Sequence, residues 1–217
     1  MFNEIDKTIF ADSCEVLQTS SQQFLYPIFK NGRSSFRIMS STPGWKYLDL
    51  DTIKTIKDPF IVFLRDPKER FISGVNTYLQ HLKNENPDLD TKTILFFVNR
   101  YLFLNRHYCP QFFWLINLAK HTSSDVRMQF KAMSGIAEMT PYHCHAMIEP
   151  PGTEFLKSIA DFNWSQLELY FYLDQLLIDR IGQELTFREL CQIIKTEYPE
   201  VYQLVFNKSI DLINVLS

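Results

Sequence analysis

FIVFL at 60–64 is an unbroken apolar run, β-branched and aromatic, with Asp58-Pro59 before it and Arg65-Asp66-Pro67 after it. A short run of that kind between breakers predicts a strand buried on both faces, as in a parallel sheet. FLYPIF at 24–29 predicts another strand, although Pro27 cannot donate to a central ladder and so shifts its bounds. The polar KNGRSS follows, with Asn31-Gly32 supplying a turn and FRIM continuing into a helix. Beyond Pro67 the period changes. KERFISGVNTYLQHL carries one apolar stripe at Phe71, Val75, Tyr78 and Leu82, and a polar one at Arg70, Ser73, Thr77 and His81. That double pattern predicts a helix packed on the sheet by one face and presenting polar groups to a cleft by another. Pro67 suits its first position, after an Asp cap.

Elsewhere the pattern is coarser. Residues 1–23 read as a peripheral lead-in and 41–57 as weakly patterned polar sequence after STPGW. A helical stretch from Thr91 to Asn105 is interrupted by Arg106-His107-Tyr108-Cys109-Pro110-Gln111, and FFWLINLAK follows. Val126 to Glu138 predicts a strand or strand pair, and 139–153, with three Pro and a Gly, a loop. Helices are expected over Gln166–Arg180, Thr186–Lys195 and Val201–Leu216. The expected class is α/β: a single domain over 1–217 with a small, mostly parallel β-sheet flanked by helices.

Composition narrows the function. Of 217 residues, 46% are hydrophobic and 22% charged, which suits a globular chain able to bury a substantial core. The formal net charge of -3 argues against a broad nucleic-acid surface but permits a local basic pocket for a small anion. No apolar stretch is long enough for a membrane span, and the acidic N-terminus lacks a signal pattern. Cys14, Cys109, Cys144 and Cys191 lie far apart, without a CxxC pair, which suits a reducing compartment. The expectation is a soluble, cytoplasmic protein.

Two segments have the chemistry for an anion. In YPIFKNGRSS, Lys30 and Arg33 flank Gly32, and Ser34 and Ser35 stand at the helix start, where backbone N–H groups favour negative charge. The Walker order GxxxxGK[ST] is absent, and an exposed basic turn with a Ser cap explains the same residues about as well. In IVFLRDPKERFISG, Arg65 leaves the C-terminal end of a buried strand, where open α/β sheets hold their ligands. Its guanidinium can grip a phosphate with two hydrogen bonds, and Ser73 lies two turns into the next helix. The competing explanation pairs Arg65 with Asp66 or Glu69 and makes Ser73 a packing residue.

Together with His107-Tyr108-Cys109-Pro110-Gln111, these segments resemble the PAPS-dependent sulfotransferases, most of all the carbohydrate sulfotransferases. The likeness spans roughly 24 to 138, with the three motifs in family order. It implies a P-loop-like sulfotransferase fold and an enzyme that moves a sulfuryl group from 3′-phosphoadenosine 5′-phosphosulfate (PAPS) to a hydroxyl of a carbohydrate or related acceptor. By this resemblance Lys30, Asn31, Gly32, Arg33, Ser34 and Ser35 hold the 5′-phosphosulfate. Arg65-Asp66-Pro67-Lys68-Glu69-Arg70-Phe71-Ile72-Ser73 matches the R-[DN]-P-x-x-R-x-x-S signature, so Arg65 and Ser73 inherit the 3′-phosphate. The short chain, without an anchor or stem, implies a microbial or viral member.

Sulfuryl transfer needs a cation where charge develops on the leaving phosphate, and Lys30 is the expected one, assisted by Arg33. It also needs a base for the acceptor proton. His107 is the expected base and His81 the second choice, with Glu85 and Asp88 behind them. Trp45, after Pro43-Gly44, is the expected acceptor contact beside His81. His143-Cys144-His145 lacks partners at workable spacing, so no metal is expected. Two rival functions are a nucleotide-dependent small-molecule kinase, which lacks its Walker lysine, and a catalytically degenerate sulfotransferase-like binding module.

Overall fold

The computed structural model describes residues 14–28, 31, 36, 40–41, 43–88, 90, 93, 96, 98, 105–133 and 164–208. Among these residues six strands form one sheet: β1 (Val16–Gln18), β2 (Phe24–Tyr26), β3 (Lys46–Leu48), β4 (Phe60–Leu64), β5 (Arg127–Ala132) and β6 (Glu184–Thr186). Their spatial order is β3-β1-β2-β4-β5-β6. The helices are α1 (Leu50–Thr55), α2 (Pro67–Glu85), α3 (Gln111–His121), α4 (Trp164–Ile178), α5 (Phe187–Glu197) and α6 (Pro199–Lys208).

The α/β class holds, but the sheet is mixed rather than mostly parallel. β4 pairs parallel with β2 and with β5, as its apolar run predicted. The remaining pairings, β1 with β2, β1 with β3 and β5 with β6, are antiparallel. The reason at β1–β2 is a tight reversal. Gln22 N–H donates to the Thr19 carbonyl and Thr19 N–H to the Gln23 carbonyl, with Gln22 at φ 62°. A connection that short can join only antiparallel neighbours. The supposed lead-in therefore contributes a strand, and Val16 and Leu17 are fully buried.

β4 is buried throughout because both its faces are covered. Phe60, Val62 and Leu64 face the larger core, with Phe71, Val75 and Tyr78 of α2. Leu115 of α3 and Leu173 of α4 belong to that core too. Ile61 and Phe63 face the smaller one with Leu17, Leu25 and Phe36. Strict alternation on a strand buried on both faces produces this division. β2 stops at Tyr26, before Pro27, and the Tyr26 hydroxyl donates to the Trp114 carbonyl of α3 at 2.8 Å.

Local chemistry sets the helix starts. α2 begins at Pro67, and Asp66 Oδ1 accepts from Glu69 N–H at 2.9 Å, the cap expected from the sequence. Thr186 and Glu189 form a reciprocal capping box at α5. α3 lies deepest: every residue from Gln111 to Ala119 is buried. The sequence expectation of helices over 166–180 and 186–195 corresponds to α4 and α5, and α6 occupies the described part of the last one.

Candidate functional site

The C-terminal end of β4 is where the sequence motifs meet. Pairing between β2 and β4 ends at Tyr26↔Val62, because Pro27 follows. Beyond that point two side-chain amides take over the backbone of β4. Asn31 Nδ2 donates to the Phe63 carbonyl at 2.8 Å. Gln111 accepts from Arg65 N–H through Oε1 and donates to the Arg65 carbonyl through Nε2, each at 3.0 Å. Asn31 Nδ2 also donates to Gln111 Oε1. Both amides are completely buried.

Gln111 reaches one partner more. Its Nε2 donates to Asp174 Oδ2 of α4 at 3.2 Å, and Phe112 N–H donates to Asp174 Oδ1 at 3.3 Å. Asp174 is fully buried, and that burial pushes its carboxyl up to about 7 against the opposing pull of the Arg70 charge and these donors. Arg70 is itself buried, and its Nη1 donates to the Cys109 carbonyl. Burial likewise pushes the Cys109 thiol up to about 12, which keeps it neutral and unreactive.

The third segment closes on α2. The turn at 105–109 is held by Asn105, whose carbonyl accepts from Tyr108 and Cys109 N–H. Asn105 Oδ1 accepts from His107 N–H at 2.9 Å. Gly74 of α2 abuts this turn so closely that a Cβ there would fall 2.1 Å from the His107 carbonyl oxygen. Tyr108 sits edge-on to Phe71 and Tyr78, with ring centroids 6.2 and 5.4 Å away.

Among the expected site residues, the structure joins Asn31 and Arg65 through Gln111, and sets His107 against Gly74, the neighbour of Ser73 on α2. Asn31 uses its side-chain donor to fasten the segment after β2, and its Oδ1 is buried with no hydrogen-bond partner among the described residues. Arg65 is about a quarter exposed at its side chain and lies 3.6 Å from Glu69, the pairing weighed against an anion role. A solvent-facing i,i+4 pair of that length is worth ~0–1 kcal/mol. Ser73 is 3% exposed, and its hydroxyl has no hydrogen-bond partner among the described residues. His107 is buried beside Gly74.

Other expectations land differently. Arg70, expected to face a cleft with Ser73, is interior and tied to Cys109. A helical wheel tells which residues share a face, and here the 105–109 turn covers that face. Trp45 is half-buried and packs on the smaller core. His81 lies on α2, with its side chain outside the described residues, as are Lys30, Gly32, Arg33, Ser34, Ser35 and the His143-Cys144-His145 segment. Among the described residues no group of His, Cys, Asp or Glu is arranged to hold a metal, and no helix is long and apolar enough to cross a membrane.

Asp174 escaped the sequence reading, and Gln111 carried no role in it. The signal for Asp174 is an acid set in the apolar FYLDQLL of α4, where burial without a partner would be costly. Comparison with protein-family models, with curated proteins and with solved structures finds no match to this chain.

Proposed function

We propose that the chain is a PAPS-dependent O-sulfotransferase acting on a carbohydrate or related hydroxyl and releasing adenosine 3′,5′-bisphosphate. The supporting observation is the joining of three motif segments, distant in sequence, at one strand end. Asn31, Arg65 and Gln111 are hydrogen-bonded together, and Gly74 abuts His107. The end of a central parallel strand is also where α/β sheets of this kind hold nucleotides.

Ser73 fits a phosphate ligand on physical grounds. A hydroxyl buried without a partner costs free energy, and an anion would satisfy it. Arg65, just before the helix that carries Ser73, would supply the charge and the two-pronged geometry that a phosphate monoester takes. The bound donor supplies an activated sulfuryl group whose bridging S–O bond breaks as the acceptor oxygen bonds to sulfur. Lys30 and Arg33 stabilise the charge left on the phosphate, and His107 takes the acceptor proton.

The test is a titration of the full chain with adenosine 3′,5′-bisphosphate and with adenosine 5′-monophosphate. Arg65→Ala should weaken the bisphosphate roughly 10- to 150-fold and the monophosphate much less, since a charge-assisted contact contributes ~1.5–3 kcal/mol. A folded Arg65→Ala protein with wild-type affinity for both removes Arg65 from the site. A wild-type chain that binds neither nucleotide and transfers no sulfuryl group overturns the function. Binding without transfer to any hydroxyl acceptor would leave the degenerate binding module in its place.

A further inference from the structure

We propose that Gln111 is the positioning residue of the nucleotide site, setting the Arg65 backbone and the segment after β2 in mutual register without touching the ligand. The inference rests on the sulfotransferase reading and deepens it. An amide side chain has two N–H donors and an oxygen with two lone pairs. Gln111 uses all four: its oxygen accepts from Arg65 N–H and Asn31 Nδ2, and its nitrogen donates to the Arg65 carbonyl and Asp174.

The geometry explains why a side chain is needed here at all. β2 cannot continue beside β4 past Pro27, so the β4 backbone at Phe63 and Arg65 is left without a neighbouring strand on that side. Phe63 and Arg65 stand two apart on extended chain and present their polar groups to the same edge. Asn31 takes the Phe63 carbonyl and Gln111 takes both groups of Arg65. The two amides act as a substitute strand. They are also bonded to each other, so displacing either moves the other. Arg65 and the Lys30–Ser35 loop are the two places assigned to the ends of the nucleotide. Asn31 of that loop is linked to the Arg65 backbone through one side chain from α3, braced in turn by Asp174 of α4.

No other residue type can replace all four bonds. Leucine makes none. Glutamate keeps the acceptors but loses both donors, and it sets a second carboxylate against Asp174. Pairing Gln111→Glu with Asp174→Asn moves the buried carboxyl group across one hydrogen bond and restores three of the four contacts. The amide introduced on α4 can donate to the carboxylate introduced on α3, while its carbonyl still serves Phe112 N–H. Only the Arg65 carbonyl is then unserved.

The experiment reads two quantities on the full chain: affinity for adenosine 3′,5′-bisphosphate, and amide hydrogen exchange at Arg65 without ligand. Gln111→Leu and Gln111→Glu should each weaken the nucleotide about 10-fold or more and speed exchange at Arg65. Adding Asp174→Asn to Gln111→Glu should recover most of the affinity and the protection. Wild-type affinity and protection in folded Gln111→Leu would overturn the proposal. Where Gln111→Leu fails to fold, equal affinities for Gln111→Glu and the double variant overturn it instead. Should the wild-type chain bind no nucleotide, the functional reading falls by itself. Exchange at Arg65 then still decides whether Gln111 sets that backbone.

Discussion

Gly74 and His107 are in backbone contact across two segments that lie far apart in the sequence. The glycine Cα faces the His107 carbonyl, and a Cβ would also come 2.8 Å from Tyr108 Cβ. The histidine assigned to take the acceptor proton is thus set in place by the absence of a side chain on α2.

Gly74→Ala should consequently displace either α2 or the 105–109 turn. Because the obstructing atoms are backbone, the strain cannot be relieved by a rotamer change, and a cost of about 1–3 kcal/mol is expected. For a chain of this size that lowers Tm by ~2–4 °C per kcal/mol. Turnover should fall further than nucleotide affinity, since the clash falls on His107 itself, whereas Arg65 keeps its own bonds to Gln111. Thermal melting and a sulfuryl-transfer assay, run side by side, check this. Unchanged melting would mean that the contact is looser than the backbone geometry indicates.

Ser73→Ala separates stability from binding. Removing a buried hydroxyl that has no partner among the described residues relieves a desolvation penalty, so the variant should melt at or slightly above the wild-type temperature. Its affinity for adenosine 3′,5′-bisphosphate should nonetheless fall about 10-fold. A stabilised variant with full affinity would identify Ser73 as a packing residue.

Asp174 makes stability depend on pH. Its carboxyl stands at about 7 in the folded chain against 3.8 ordinarily, chiefly through burial. The neutral form is the one that the fold favours. The associated stability is therefore complete below about pH 4, declines as pH rises and is lost once pH has passed about 7. Asp174→Asn should remove this slope, so that the wild-type Tm falls relative to the variant between those limits. Melting curves of both proteins from about pH 4 to about pH 8 test it. Parallel profiles would show that Asp174 is ionised throughout.

What could be read from the sequence was local. The FIVFL strand, the Asp66 cap, Pro67 at the helix start and the Phe71–Val75–Tyr78 stripe each depend on neighbours within a few residues, and each is present. β1, β3 and β6 are three residues apiece, too short to display a period, and exist only because a partner strand lies beside them. The site divides in the same way. Arg65 and Ser73 became candidates through a signature within one short segment, whereas the Gln111 bonds to Arg65 and Asp174 span 46 and 63 residues. Arg70 shows the limit best: its position in a polar stripe was clear, but not that the Cys109 carbonyl would cover it.

The order of the strands also governs when the site comes into being. Leu17 meets Leu25 across a short reversal, a closure that a chain makes quickly. Phe60 meets Met128 only after α2 and α3 have been gathered between them, a far slower event. Asn31, Arg65, Gln111 and Asp174 come from four separate stretches, so their joint hydrogen bonds appear with the last long-range closures. A half-folded chain, even one with its hairpin and helices formed, has no bracket around Arg65. An anion held at the proposed site would therefore bind the finished fold alone, and would stabilise that state by an amount set by its concentration relative to its Kd.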